Sequence, residues 1–486
     1  MKKYRLKLSI VTAGVALLLG MMGCTDSFGD VNTDPDRTTD PPVTNQLAYV
    51  IRYASANLFD PWNDMNEPST YGGHLTKIQY IDESRYEFRT GVVENKWYYV
   101  YLTYSNVKDM ERRAAEEGLV NMESVAKVWG TMLISIATDT WRDVPYSDAA
   151  KMSEGVLLPR YDKQEDIYPA MLEVLASAAE GFASGASDDL GGGDVLFDGK
   201  VEKWQRYCNS MRLRLAMRLA KVDAGLAKST VEQIMGNSSK YPVLESNSDN
   251  AFFVWPGETP YIEPWANDKR TRDDHAPSDV LVNLLKSLDD PRLPMYAHPA
   301  ETSGEYVGGV IGASTVESDL GSISRIGARF RDEFKGFTPY YRAAETYFHL
   351  AEAAKLGWSV GVSAKDAYEK AVTLSLEENG IENAAAYLEG KAKFNDTLEQ
   401  IYEQEWLALF KQGMEGWSLY RRTGIPATNY HAPGSKYLGH NTPPFRYPYP
   451  INESSLNGAN LKPFQAEVKD DFWGKQMWWD TRTGVN

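Results

Sequence analysis

The sequence predicts a mostly α-helical fold, a scaffold of paired helices overlaid by long irregular loops, and three observations carry that prediction. Trp204, Tyr207, Met211, Leu215 and Leu219 recur at three- and four-residue spacing, as do Leu398, Ile401, Tyr402, Trp406, Leu409 and Phe410, and each set draws one buried helical face. Between them AETYFHLAEAAK (344–355) and SAKDAYEKAVTLSLEE (363–378) read as a helical hairpin broken at Gly357. Its second helix starts on Ser363, with Asp366 three residues on, a capping arrangement. The third observation is what interrupts the pattern. Residues 59–91, 245–278, 297–340 and 427–475 are rich in Gly, Pro, Asn, Asp and aromatics and show no period. Irregular segments of that length in a compact chain are usually functional, so a ligand surface is expected there.

Taken from the N-terminus, the chain opens on a targeting segment. Lys2, Lys3, Arg5 and Lys7 precede an uncharged stretch, residues 8–23, that ends before the ~20 apolar residues a membrane span needs. Residues 1–23 therefore read as a signal peptide. Gly23 followed by Cys24 resembles the lipobox of bacterial lipoproteins, with Met21 where leucine is usual. Cys24 is expected to become the first residue of the mature chain and to carry lipid, which contributes about 0.8 kcal/mol of membrane affinity per buried CH₂. Thr25, Asp26, Ser27 and the acidic residues after them resemble the surface-export signal of Bacteroidetes lipoproteins, which implies an outward-facing location.

DVNTDPDRTTDPP (30–42) reads as a tether, and residues 24–42 as the lipidated N-terminus and its strap. Asp30, Asn32 and Asp34 have calcium-loop spacing, but Pro35 and Pro41 stand where an EF-hand needs Gly and Glu, so no ion is expected. Residues 43–486 are expected to form one folded domain. Small residues at Ala351, Ala354, Ala367 and Ala371 let its central helical pair approach closely, a tetratricopeptide-like feature.

Composition narrows the function class. A net charge of −16 leaves no basic footprint for nucleic acid. Cys208 is the only cysteine besides Cys24, so no disulfide framework is expected. Thirteen Trp and 29 Tyr stand beside only 16 Phe, a bias toward rings with a polar handle that suit stacking platforms as well as cores. Catalytic signatures are mostly absent. There is no Walker loop (Gly199-Lys200 is followed by Val201) and no H-E-x-x-H. Glu345, His349 and Glu352 share a helical face, but zinc sites favour more than one His, and the three read as a polar stripe on the outside of the hairpin. Arg212, Arg214 and Arg218 read as partners for carboxylates around an apolar helix.

A series of segments then resembles one family. These are ATDTWRDVPY (137–146, with Arg142 where Gly is usual), PRYDKQ (159–164) with Ile167 and Tyr168, and Lys203-Trp204 with NSMRLRLAMR (209–218). DPRL (290–293), AEAA (351–354), YEQEW (402–406), Trp417 with RRTG (421–424), and RYPYP (446–450) complete it. In order and number they resemble the SusD/RagB family of outer-membrane nutrient-binding lipoproteins, in its second SusD-like branch. The resemblance implies a tetratricopeptide-like scaffold and a lid over a SusC-type TonB-dependent barrel transporter. It implies capture of oligosaccharides, with peptides as the alternative cargo, and neither catalysis nor a cofactor. A glycoside hydrolase of the same compartment is the competing class, and a purely structural repeat adaptor a third.

Five rings lie in the aperiodic loops PWNDMNEPSTYGG (61–73) and WPGETPYIEPWANDKR (255–270): Trp62, Tyr71, Trp255, Tyr261 and Trp265. They are the expected ligand-stacking residues, since aromatic faces pack on sugar rings while nearby amides and acids bond the hydroxyls. Trp97, Trp129, Trp204 and Trp406 fall in periodic segments and are assigned to the core.

Overall fold

Helix α1 (Val43–Leu58) shows how the scaffold is built: Leu47, Val50, Ile51, Ala54 and Leu58 repeat at helical spacing and all are buried. The computed structural model describes residues 41–429, 432–437 and 439–485, so the expected signal peptide, Cys24 and the expected tether up to residue 40 lie outside the described residues. From Val43 the chain forms one compact unit.

Helices α2 (Thr90–Glu117) and α3 (Val120–Trp141) are joined by only two residues, which makes them neighbouring and antiparallel. Gly118 supplies the turn. Its φ of +71° is left-handed, and its N–H donates to the carbonyls of Ala114 and Ala115. Helices α4 (Gln164–Ala183), α5 (Val201–Arg218) and α6 (Ala224–Met235) continue the up-and-down path, each packed on the one before it. After α7 (Asp279–Ser287) the second helical group comprises α8 (Ala343–Lys355), α9 (Ala364–Glu378), α10 (Leu398–Ala408) and α11 (Gly413–Thr423). Two short helices, α12 (Ile451–Leu456) and α13 (Gly458–Ala466), close the chain. The expected hairpin is α8–α9. Ser363 caps α9, accepting from the Asp366 N–H at 3.1 Å and donating to its carboxylate at 2.7 Å. Among the described residues no helix is long and apolar enough to cross a membrane.

Helix α8 packs against α5 and α10, which joins the two helical groups through charge as well as apolar contact. Arg214 forks onto Glu345 and also reaches the Tyr340 carbonyl at 2.9 Å. Arg218 pairs with Glu415 at 2.5 Å and Asp139 at 3.5 Å, and Arg422 holds Glu352 at 2.6 and 2.8 Å. The arginines of α5 thus find carboxylates as expected, except Arg212, which bonds Asn209 (3.1 Å) and Gln233 (2.8 Å). The expectation for Glu345, His349 and Glu352 is corrected: they are buried, not on the outer face. They point at α5, α10 and α11, where Arg214, Glu405 (3.2 Å from His349 Nε2) and Arg422 compensate them.

Trp129, Trp204 and Trp406 are fully buried, as assigned. Trp97 is only half-buried, lining a groove with Tyr101, Met152, Leu157 and Leu456. Cys208 is a buried free thiol that donates to the Leu175 carbonyl, and burial pushes its pKa up to about 12, so it is inert.

Among the described residues there are four short antiparallel strand pairs, three of them in the long loops. Residues Leu75–Lys77 pair with His275–Pro277, Ala251–Val254 with Phe337–Tyr341, Ala297–His298 with Arg325–Ile326, and Val144–Pro145 with Tyr161–Asp162. The first two tie segment 245–278 to segments 59–91 and 297–340, and the third closes a hairpin within 297–340.

Candidate functional site

Segment 75–86 builds the first cleft. Past the strand Leu75–Lys77 the Ile78 N–H bonds the Asp274 carbonyl at 2.8 Å, and the side chains of Ile78 and Ile81 turn inward. Tyr80 between them has a φ of +48°, a left-handed conformation costing a non-glycine residue roughly 1–2 kcal/mol. The turn sends its ring outward, leaving Tyr80 64 % exposed. Local ties hold that strained turn. The Lys77 N–H donates to Ser84 Oγ (2.8 Å), and buried Lys77 Nζ reaches Glu83 at 3.0 Å. Strain kept by its surroundings is a mark of functional segments.

The cleft in front of Tyr80 has a volume of about 480 Å³ and is lined by Gln79, Tyr80, Ile81, Asp82, Arg85 and the stretch Ser314, Thr315, Val316. All four long irregular segments meet here. Residues 79–85 belong to the first and 314–316 to the third. Arg272 of the second lies over the Tyr80 ring at 5.6 Å. The fourth arrives through Gly434, whose carbonyl accepts from Arg85 Nε at 2.6 Å, and through Lys436, whose N–H donates to the Arg85 carbonyl at 2.9 Å. Gly312 permits the junction: a Cβ there would fall 2.6 Å from Ala432 Cβ and 2.7 Å from the Ser84 carbonyl.

Asp82 has cations around it, Lys436 at 3.4 Å and Arg85 and Arg89 at 3.9 Å each. The cleft therefore offers one flat aromatic face, an amide, a carboxylate, a guanidinium and two hydroxyls. That set stacks on a ring and exchanges hydrogen bonds with its hydroxyls.

A second cleft adjoins it across Arg89. This one is about 390 Å³ and is lined by Asp60, Trp62, Asn63, Arg89 and the first turns of α2. Burial pushes the Asp60 carboxyl up to about 6, against the lowering effect of hydrogen bonds from Asn63.

The five expected rings divide. Trp62 is 42 % exposed and lines the second cleft; Tyr261 is 46 % exposed, with the Arg52 guanidinium 5.4 Å over its ring. Tyr71, Trp255 and Trp265 are buried, and the expectation that they stack on ligand is corrected. Trp255 Nε1 donates to Thr338 Oγ1 (2.9 Å) and Trp265 Nε1 to the Phe59 carbonyl (3.2 Å). Tyr71 packs edge-on against Trp417, Tyr86 and Tyr447. These three pin loops to the scaffold. Sequence reasoning missed Tyr80. Its only sequence signal is a tyrosine between two isoleucines in an aperiodic segment, which Tyr86 nearby shares in part while being fully buried.

Residues 38–450 match the family model SusD-like_2, described as starch-binding associating with outer membrane. Among solved structures, a chitin-binding protein is 26 % identical with a TM-score of 0.79, over 90 % of this chain and 100 % of its own. A chitin-binding SusD homologue from Flavobacterium johnsoniae is 23 % identical with a TM-score of 0.80, over 91 % and 99 %. A SusD homologue from Bacteroides thetaiotaomicron is 23 % identical with a TM-score of 0.78, over 92 % and 100 %. Comparison with curated proteins gave no match.

Proposed function

The chain belongs to the SusD-like_2 family, described as starch-binding and associating with the outer membrane, and from that membership we propose that it is a glycan-binding outer-membrane protein that captures oligosaccharides in the Tyr80 cleft. One observation carries the reading. The four loops that interrupt the helical scaffold meet around one cleft, which holds an exposed ring together with amide, carboxylate, guanidinium and hydroxyl groups. Chitin binding by two proteins of the same fold supports a polysaccharide-derived cargo.

Capture without turnover is the chemistry this cleft supports. Glycoside hydrolysis uses a pair of carboxyl groups, one of them protonated. Among the described residues Asp82 is the one carboxylate that lines the Tyr80 cleft. In this reading the protein hands its cargo to a SusC-type TonB-dependent transporter. Cys24 carries the lipid anchor, residues 24–42 are the strap, and the domain faces the cell exterior.

Calorimetric titration tests capture, with oligosaccharides of chitin and of starch as probes. Tyr80→Ala is expected to weaken binding by about 1–3 kcal/mol, the range for an aromatic anchor, with an unchanged melting temperature. A wild type that takes up neither probe, or a Tyr80→Ala variant that binds as the wild type does, overturns the reading.

Cys24→Ser tests the anchor, because acyl transfer needs a thiolate and serine is a far weaker nucleophile. The variant is expected to lose lipid labelling and membrane fractionation in cells lacking the transporter. Unchanged membrane association in those cells would refute the lipoprotein assignment.

A further inference from the structure

We infer that the Trp62 cleft is a second pyranose-binding subsite, continuous with the Tyr80 cleft, so that the protein grips one oligosaccharide at two points; this rests on the capture reading above. The Trp62 side is a rigid display. Asp60 Oδ1 accepts from the Asn63 N–H (2.7 Å) and from Asn63 Nδ2 (3.0 Å), capping the turn Pro61–Met65. Pro61, Asn63, Asp64 and Met65 are buried, while Trp62 alone stands out. A large ring held in water by a turn otherwise buried contributes little to folding and offers its face to a ligand.

The opposite wall is the start of α2. Gly91, Asn95 and Tyr99 follow at four-residue spacing and so share one helical face. A Cβ at Gly91 would meet nothing within 4 Å, so glycine there leaves the mouth open. Asn95 is exposed, and Tyr99 is steadied edge-on by Tyr53 at 6.0 Å.

Asn63 lines the cleft and is 2 % exposed, its amide held by Asp60. With amides, one carboxylate and one guanidinium around a flat apolar ring, the lining suits a neutral polyhydroxylated ring better than an anion. Its 390 Å³ lies within the range of ligand pockets.

Arg89 makes the two clefts one site. It lines the Trp62 cleft and pairs with Glu83 at 2.6 Å and with Asp82, which lines the Tyr80 cleft, at 3.9 Å. An oligosaccharide crossing this seam meets Tyr80 on one side and Trp62 on the other.

The test is calorimetric titration of the wild type, Tyr80→Ala, Trp62→Ala and Asn95→Ala with a trisaccharide and a hexasaccharide of chitin, repeated with the starch series. Trp62→Ala is expected to weaken the hexasaccharide about tenfold and to leave the trisaccharide unchanged, with Asn95→Ala following it more weakly. Tyr80→Ala should weaken both lengths. If Trp62→Ala and Asn95→Ala bind the hexasaccharide like the wild type while Tyr80→Ala is impaired, the second subsite is rejected and capture at Tyr80 stands. If Trp62→Ala is impaired and Tyr80→Ala is not, the two-point grip is overturned. If the wild type binds neither series, the capture reading fails, and this inference with it.

Discussion

Asp290→Ala is expected to destabilise the protein by about 3–5 kcal/mol, the cost of stranding one partner of a buried ion pair. Neither side chain of the Asp290–Arg292 pair is exposed. Asp290 Oδ1 accepts from the Arg292 N–H and Nε, both at 2.9 Å, and Oδ2 accepts from Nη2 and from the Tyr387 hydroxyl, both at 2.6 Å. Alanine would leave the guanidinium with only neutral acceptors, Ser375 Oγ at 2.9 Å and Gln404 Oε1 at 2.6 Å. A buried charge with no counter-charge costs far more than the pair contributes while intact.

Burial by itself would raise the Asp290 pKa, but the Arg292 charge and the hydrogen bonds of Arg292 and Tyr387 outweigh it and hold the carboxyl below its usual value. A depressed carboxylate stabilises the fold above its unfolded pKa and loses that contribution as pH falls through the folded value. The effect is therefore fully present at neutral pH. Urea titration reads it as a shift of the midpoint at constant slope. A loss below about 1 kcal/mol would show that the site relaxes or hydrates, contrary to its burial.

Trp204→Ala is expected to cost about 3–5 kcal/mol by a different mechanism, a cavity in a core that cannot close over it. The ring is fully buried on α5 and touches Phe197 (5.3 Å between ring centroids), Trp129 (6.0 Å) and Tyr207 (6.0 Å). Its indole N–H donates to Asp194 Oδ2 at 2.8 Å. Asp194 in turn accepts the backbone N–H groups of Leu196, Phe197 and Gly199, so the ring anchors the connection into α5. Trp204→Phe should recover most of the packing but not the hydrogen bond, separating the two losses. Trp62→Ala is the matched control at an exposed ring, with a change expected within about 0.5 kcal/mol. Equal midpoints for the two alanine variants would refute the division between core and display tryptophans.

Helices were legible because their signal is local. The stripe on 204–219 lies in α5 and its C-terminal turn, and the hairpin read at 344–355 and 363–378 appears at Ala343–Lys355 and Ala364–Glu378. Burying residues three and four apart on one face needs only neighbours in sequence. The second stripe is a partial success. Its helix closes at Ala408, short of Leu409 and Phe410, and the next one begins at Gly413.

Side-chain direction on the helices was less legible. Glu345, His349 and Glu352 share a face as their spacing requires, but a charged face reads as solvent-exposed unless the compensating partners are known. Those partners, Arg214, Glu405 and Arg422, come from other helices.

In the loops no period separates an inward ring from an outward one. Trp255 is buried because Thr338, 83 residues away, accepts its indole N–H, and Trp265 because Phe59, 206 residues away, does the same. Trp62 and Tyr80 stay outside because their own turns close beneath them, one capped by Asp60 and the other tied by Lys77 and Ser84. The sequence by itself determined the family, the helical pairs and the places where the chain departs from them, since these rest on motifs and short-range periodicity. Which loop rings are buried and which exposed, and that four separate loops meet around one cleft, only the tertiary structure decided. Each of those facts depends on contacts between residues far apart in the chain, which local propensity does not encode.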